Sequence, residues 1–320
     1  VASFLLRAVG QRAVLLFVVS VIAFAVVHLA PGEPSQVDPM NPRMKPQDIA
    51  RIRAAFHLDE PLYAQYGYWL RDLARGELRS FQTGEPVLER IWERFLNSLP
   101  LFLVEIVIIW TIAFPIGISA ALARGSGWDR ATTLLAYALI SLPSYVIAYL
   151  VILWVVNSFE LPVIGMRTFG LDEVATLRRA MDRIWHLAIP ALMAALGGIA
   201  VLSRYVRSQM LEVVSQDYVR TARAKGLPED RVIYRHALRN ALLPFVTLFG
   251  FLIPGLIGGS VIIEQIFAWP GLGRLGYDAI LARDFPLILT INFFAAALTL
   301  AGTFLSDVLY ALVDPRIRLG

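Results

Sequence analysis

A chain of 320 residues that is 57% hydrophobic and only 17% charged, with a mean hydropathy of +0.62, is too apolar for an ordinary soluble domain. Its net charge of +4 does not point to nucleic acid, because the basic residues flank apolar runs and no soluble segment interleaves aromatic and basic side chains. The absence of cysteine excludes disulfides, thiol catalysis and cysteine-ligated metals.

The first apolar run, roughly Ala13 to Ala30, follows Arg7 and Arg12. A basic start before an apolar run also describes a signal peptide, but Pro31-Gly-Glu-Pro34 lacks the small-residue cleavage pattern and the run is long enough to span. It is read as a retained helix with its N-terminus in the cytoplasm. Val1 in place of Met leaves an alternative start codon and a trimmed end both open. From Pro31 to Asn97 the chain is polar and mixed in charge, which predicts an extracytoplasmic segment. Helical patterning is expected over Gln47–Leu58, through Ile49, Ile52, Ala55 and Phe56, and over Tyr63–Leu73, through Tyr66, Trp69 and Leu70. This segment either caps the bundle or lines a ligand pocket.

Two spans are expected at Leu99–Ala123 and Ala131–Val156, joined on the basic, cytoplasmic side by Arg124-Gly-Ser-Gly-Trp-Asp-Arg130. Pro115, Gly117 and Pro143 mark kinks or close helix contacts. Glu105, inside the first of these spans near its outer end, is either a functional carboxylate or one that snorkels to the interface. A second external segment, Asn157–Trp185, holds Leu161-Pro-Val-Ile-Gly165 and a charged helical run from Asp172 to Arg183. The fourth span, His186–Tyr205, carries Ala194, Ala195, Gly197, Gly198 and Ala200, small residues that let helices approach closely.

A basic elbow follows, between two apolar segments: Gln216-Asp-Tyr-Val-Arg-Thr-Ala-Arg-Ala-Lys-Gly226, then Leu227-Pro-Glu-Asp-Arg231 and His236-Ala-Leu-Arg-Asn-Ala-Leu-Leu-Pro244. Arg220, Arg223, Lys225, Arg231, Arg235 and Arg239 keep it out of hydrocarbon, where each buried cation costs several kcal/mol, about 2.5–3.5 on insertion scales. Val206, Met210, Val213, Val214 and Tyr218 recur at helical spacing on one side, with Glu212, Gln216, Arg220 and Arg223 opposite. Gly226 reads as a helix-ending residue and Pro228 as the first residue of a new helix, with Glu229 and Asp230 at its positive end. Two helices meeting at a glycine and anchored on both sides make a rigid projection suited to docking; a solvated loop with ordinary caps is the alternative.

The fifth span, Ala241–Ile263, carries Pro244, Gly250, Pro254, Gly255, Gly258 and Gly259. Such interruptions free backbone carbonyls that are tolerated only against protein or a water-filled cavity. Phe251, Pro254, Gly255, Gly258, Gly259 and Ser260 therefore line a substrate path or pack a subunit interface. A surface helix is expected from Gly276 to Arg283, then a last span at Leu287–Leu312 that ends in Asp314-Pro-Arg-Ile-Arg318. Asp307, near its inner end, is assigned no chemistry. The expected fold is thus an all-α membrane protein with six transmembrane helices and both termini inside. Its parts are an N-terminal transmembrane helix (1–30), the extracytoplasmic segment (31–97), a transmembrane core (98–313, with the elbow at 207–240) and a cytoplasmic tail (314–320).

Tyr218-Val-Arg-Thr-Ala-Arg-Ala-Lys-Gly226, followed by Arg235-His-Ala-Leu-Arg-Asn-Ala-Leu-Leu-Pro244, resembles the cytoplasmic coupling motif of binding-protein-dependent ABC importer permeases. More narrowly it resembles the dipeptide/oligopeptide and nickel branch. Arg220-Thr221-Ala222 stands where the general motif has Glu-Ala-Ala, and Pro244 lies further from Gly226 than in sugar importers; both departures are those of the peptide branch. His57–Tyr63, Arg75–Leu78, Thr83–Pro86 and Glu264-Gln-Ile-Phe-Ala-Trp-Pro-Gly-Leu-Gly273 are similar to the same family's external segments. The resemblance implies an inner-membrane permease subunit with a second homologous permease, two cytoplasmic ATPases, an extracytoplasmic substrate-binding protein and membrane lipid as partners, and no nucleic acid. It implies that Tyr218, Arg220, Thr221, Ala222, Arg223, Ala224, Lys225 and Gly226 couple to the ATPases, with His236, Asn240 and Pro244 joining the elbow to the next helix. ATP and Mg would be bound by the partners, and no cofactor by this chain.

Enzyme readings find no support in the residues. There is no Gly-x-x-x-x-Gly-Lys-Ser/Thr loop, His-Glu-x-x-His or Gly-x-Ser-x-Gly, and His28, His57, His186 and His236 lack ligand spacing. A stand-alone secondary transporter or channel is the alternative, although inverted repeats and paired intramembrane charges are not seen.

Overall fold

The computed structural model describes residues 2–29, 47, 50, 53–54, 56–168, 170, 176–242, 244–245 and 261–313, with side chains from 8 to 305. The predicted path Phe251–Ser260, Ile49, Ile52 and Ala55 of the external segment, Asp172, and the tail from Asp314 lie outside these residues, as does the side chain of Asp307. Described elements are α1 (Ala2–Leu29), α2 (Leu62–Arg75), α3 (Val87–Leu122), α4 (Gly127–Ser141), α5 (Ser144–Phe159) and α6 (Thr176–Val214). They continue with α7 (Asp217–Ala224), a π-helical stretch (Arg231–Ala237), α8 (Leu238–Ala241), α9 (Val261–Ile266), α10 (Leu272–Ala282) and α11 (Phe285–Val313). Among the described residues the β structure is one isolated bridge, Arg79 to Pro86.

Four described helices are long and apolar enough to cross a membrane, α1, α3, α6 and α11, and α4 with α5 make a fifth if that bent pair is one span. The fifth expected span, Ala241–Ile263, falls largely outside the described residues. Two helices overrun their expected limits. α3 has 36 residues and α6 has 39, lengths of about 54 and 58 Å at about 1.5 Å per residue, against a hydrocarbon core of about 30 Å. The charged run expected to stand apart up to Arg183 is therefore the first part of α6. A helix already satisfies its own backbone, so nothing requires it to stop at the membrane boundary.

Pro143 does more than kink the third span. Leu142 is extended and Pro143 sits at the N-cap of α5, so α4 and α5 meet at 96°. The clash of the proline ring with the preceding residue's helical conformation is the cause. α10 starts at Leu272 rather than Gly276, because Gly271 is extended and its carbonyl accepts from the Leu275 N–H at 3.1 Å.

The chain forms two compact units: one of residues 1–97, 250–259 and 271–320, the other of 98–249 and 260–270. In the first, Phe24, Trp69, Val87, Ile91, Leu272, Leu275 and Leu287 form the core. Its polar anchor is Asp284, 1% exposed. The carboxylate accepts from the Ser80 hydroxyl, from the Phe81 and Gln82 amides at 3.1 and 3.4 Å, and from the Leu287 amide at 3.4 Å. One side chain thus ties the loop after α2 to the first turn of α11, where a negative group is favoured.

In the second unit α3 and α6 meet backbone to backbone. A Cβ at Gly117 would lie 2.5 Å from the Ser203 carbonyl and 2.6 Å from the Val206 Cβ, and one at Gly198 would strike Ile109. Of the two readings open for Gly117, the close contact is the one realised. Glu264, 4% exposed, accepts from the Ser98 hydroxyl at 2.7 Å, and its carbonyl takes the Trp269 amide at 2.8 Å. Around it Phe267 and Trp269 are buried, so the residues after α9, 267–270, form a packed turn.

Candidate functional site

The elbow is built on the second unit's main core. α6 brings Leu202, Val206 and Met210 to it, and α3 brings Ala113, Ile118 and Ala121. α6 stops at Val214, and α7 begins after Gln216, which takes an extended N-cap conformation. That break shifts the helical register. Val219 and Ala222, three residues apart, turn inward, and Tyr218, expected on the apolar side, is 40% exposed. The second arm contributes Val232, Ile233, Ala237 and Ala241 to the same core. Burying each larger aliphatic stabilises by about 1.5–3 kcal/mol, so the elbow is held as a rigid part of the unit rather than as a solvated loop.

The turn between the arms is closed from the backbone. Gly226 has φ +73°, and the Leu227 amide reaches back to the Ala222 carbonyl at 3.4 Å while the Gly226 amide reaches Arg223 at 2.9 Å. This pattern requires a left-handed residue after the helix, which glycine supplies without a Cβ penalty. Pro228 sits one place earlier than expected: the helical backbone resumes at Glu229, and the Pro228 carbonyl accepts from Arg231 and Val232 at 2.9 and 3.1 Å.

Arg223 spans the turn. Its Nη2 donates to Glu229 Oε1 at 2.7 Å, and its Nε donates to the same carboxylate at 3.1 Å and 3.2 Å. The guanidinium holds the Glu229 carboxyl below its ordinary range, and its own value is raised by the same bonds. Exposed pairs of this kind add little stability, but a two-point fork fixes the angle between arms. The remaining residues of the motif divide by face. Tyr218, Arg220, Thr221, Ala224, Lys225 and Gly226 are solvent-exposed, whereas Ala222 is buried. Among the described residues the Arg220 guanidinium makes one long contact, 3.5 Å to exposed Asp217, and Thr221 Oγ1 donates to the Asp217 carbonyl at 2.9 Å.

Three features have no counterpart in the sequence reading. Residues 231–237 are π-helical, and the Leu238 amide bonds five residues back to the Ile233 carbonyl. Such wide turns are rare and gather at functional sites. His236 is half-buried there, its carbonyl accepting from the Asn240 side chain at 3.3 Å, and Pro244 is half-buried beyond it. Second, Asp129, 5% exposed, takes a fork from Arg207, Nε to Oδ1 at 2.6 Å and Nη2 to Oδ2 at 2.9 Å. Third, one turn back Arg204 lies over the Tyr137 ring at 4.1 Å and donates to its hydroxyl at 2.9 Å. Both arginines belong to α6, and both hold α4. Ser126 and Asp129 at capping-box spacing signal the start of α4, but no local signal names Arg207 as the partner.

Among the described residues no group of three or more His, Asp or Glu side chains is placed to hold a metal ion. Glu105 is half-buried on α3.

Comparison with known proteins follows this geometry. Residues 113–319 match the family described as binding-protein-dependent transport system inner membrane component, and residues 1–102 match its N-terminal companion. The chain is 38% identical to the oligopeptide transport system permease protein AppB of Bacillus subtilis, covering 99% of both chains. It is 36% identical to the di/tripeptide transport system permease protein DppB of Pseudomonas aeruginosa, covering 99% of this chain and 98% of that one. With the dipeptide transport system permease protein DppB of Escherichia coli it shares 34% identity over 98% of each. The two family matches and the end-to-end likeness to these permeases agree, and the chain belongs to the family of binding-protein-dependent transport system inner membrane components.

Proposed function

We propose that this chain is one of two permease subunits of an ATP-driven importer of di- or oligopeptides. The observation that carries the reading is the elbow: a rigid, basic projection packed on the core of α3 and α6, with Tyr218, Arg220, Thr221, Ala224 and Lys225 facing outward. The relatives' names supply the cargo class. In this arrangement the bilayer is crossed six times with both termini in the cytoplasm, and two cytoplasmic ATPases hold ATP and Mg. An extracytoplasmic binding protein delivers the peptide. Closure of the ATPases pushes on α7, and because its inner face shares one core with the π-helical stretch, α3 and α6, the push moves those helices instead of bending a loop. Phe251, Pro254, Gly255, Gly258, Gly259 and Ser260 line the path that opens.

The coupling surface proposed here is narrower than the whole motif. Ala222 serves the elbow's own core, and Arg223 is committed to Glu229, so Arg220 and Lys225 are the cations offered to the ATPase. The test is purification from native membrane followed by reconstitution with the co-purifying proteins. Peptide-stimulated ATP hydrolysis and ATP-dependent peptide uptake are expected. Transport by the purified chain alone, driven by an ion gradient, would overturn the reading in favour of a secondary transporter. Uptake at the normal rate by Gly226→Val would remove the coupling role of the turn.

A further inference from the structure

Three helices of the second compact unit change from apolar to basic at one place. α3 carries no charged residue from Ile106 to its end at Leu122, and Arg124 follows. α6 carries none from Leu187 to Ser203, and Arg204 and Arg207 follow; α4 carries none after Arg130. These arginines are neighbours across the helices. Arg204 lies over the Tyr137 ring at 4.1 Å, and helical spacing puts Tyr137 on one face of α4 with Leu134 and Arg130. Arg207 forks onto Asp129, the residue beside Arg130, and Arg124 acts on the same carboxylate through space. A shallow groove runs between α3, α4 and α6, and its lining includes Gly117, Ala120, Thr132, Thr133, Arg204 and Arg207. Its room is about 10 Å³, enough for one water-sized group, so anything larger rests at its mouth.

Charge and exposure together decide what covers this face. All four arginines keep their charge, whatever they hydrogen-bond. Against them stand Asp129 and, further along α6, exposed Glu212, which leaves an excess of two positive charges. Arg124, Arg130 and Arg204 are exposed. Within about a turn of these cations, on the apolar side, Leu134 is 69% and Val201 59% exposed. Trp128 is exposed at the same boundary, its ring nitrogen donating to the Ser119 hydroxyl at 3.1 Å, as amphipathic rings do where hydrocarbon ends. Cations at the edge of the hydrocarbon, beside exposed aliphatic side chains, match a molecule with an anionic head and apolar chains.

We propose that this face binds an anionic phospholipid from the leaflet on the elbow's side, its phosphate diester at Arg130 and Arg204 and its acyl chains against Leu134 and Val201. The site requires only that the chain sits in a membrane, and it stands independently of the ATPase-coupling reading.

The test is native mass spectrometry of the full chain, delipidated in neutral detergent and offered phosphatidylglycerol and phosphatidylcholine with identical acyl chains. One phosphatidylglycerol is expected to be retained about tenfold or more over phosphatidylcholine, because each cation near the membrane surface favours an anionic lipid by about fivefold. Arg130→Gln and Arg204→Gln are each expected to cut that preference about fivefold, the first, at an exposed side chain, with an unchanged thermal midpoint. Arg178→Gln removes an exposed arginine from the other end of α6 and is expected to leave the preference intact. Equal retention of the two lipids, or an equal loss in all three variants, would overturn the proposal. Release of the bound lipid by millimolar inorganic phosphate would overturn it in favour of a soluble anion. Absence of the lipid from the chain still joined to its co-purifying proteins would overturn it in favour of a protein partner.

Discussion

Gly226 is needed for conformation rather than for space: its φ is +73° and nothing lies within 4 Å of where a Cβ would stand. The consequence of substitution is therefore conformational. An L-residue in the left-handed region costs roughly 1–2 kcal/mol, and asparagine least. Gly226→Asn is expected to retain most ATP-driven uptake while Gly226→Val loses it, measured side by side in reconstituted vesicles; equal uptake by the two would show that the turn's geometry is irrelevant. The Arg223–Glu229 fork carries a pH signature. Glu229 has a lowered folded value because Arg223 hydrogen-bonds to it, so the fork's contribution is complete above the ordinary glutamate range and is lost as pH falls through the lowered value. ATPase coupling is expected to be flat around neutrality and to fall only in acid, and Glu229→Gln to remove that acid limb; an unchanged profile would contradict the assignment.

At the scale of elements, the contact of α3 with α6 is constrained at two glycines, Gly117 and Gly198. Gly117→Leu would place a side chain where the Ser203 carbonyl and Val206 already stand. Overpacking of this kind costs typically about 1–3 kcal/mol, and the variant is expected to lower the thermal midpoint in detergent more than Gly197→Leu, since Gly197 has open space around it. The Asp129–Arg207 fork is a second constraint on α6. Arg207→Gln leaves a buried carboxylate without its cation and is expected to destabilise, whereas the double variant with Asp129→Asn regains most of the loss, because replacing both partners removes the uncompensated charge. If the double variant is no better than the single one, the two residues do not act as a pair.

For the whole molecule, α6 links these constraints. It meets α3 through Gly198 and Ser203, holds α4 through Arg204 and Arg207, and ends two residues before α7. If the elbow couples to an ATPase as proposed, a displacement there passes across Ser215 and Gln216 to α6 and from α6 to α3 and α4. Uncoupling variants are expected to concentrate along α6 and the turn at Gly226, and a scan of uptake against ATP hydrolysis would reveal the alternative, a uniform scatter over all helices.

Much of this was written locally. Apolar runs longer than the hydrocarbon thickness announced α1, α3, α6 and α11, since a backbone in lipid has almost no option but helix. The glycine, proline and acidic residues at 226–230 announced the elbow's turn, since each acts on its own backbone. Interactions between distant residues were not legible in this way. The inward turn of Val219 and Ala222, Asp284 under the loop at Ser80, and Arg207 on Asp129 depend on which surfaces meet. Local propensity constrains a residue through its chain neighbours, but burial and ion pairing depend on residues about 80 or 200 positions away, and only the packed helices determine which of them those are.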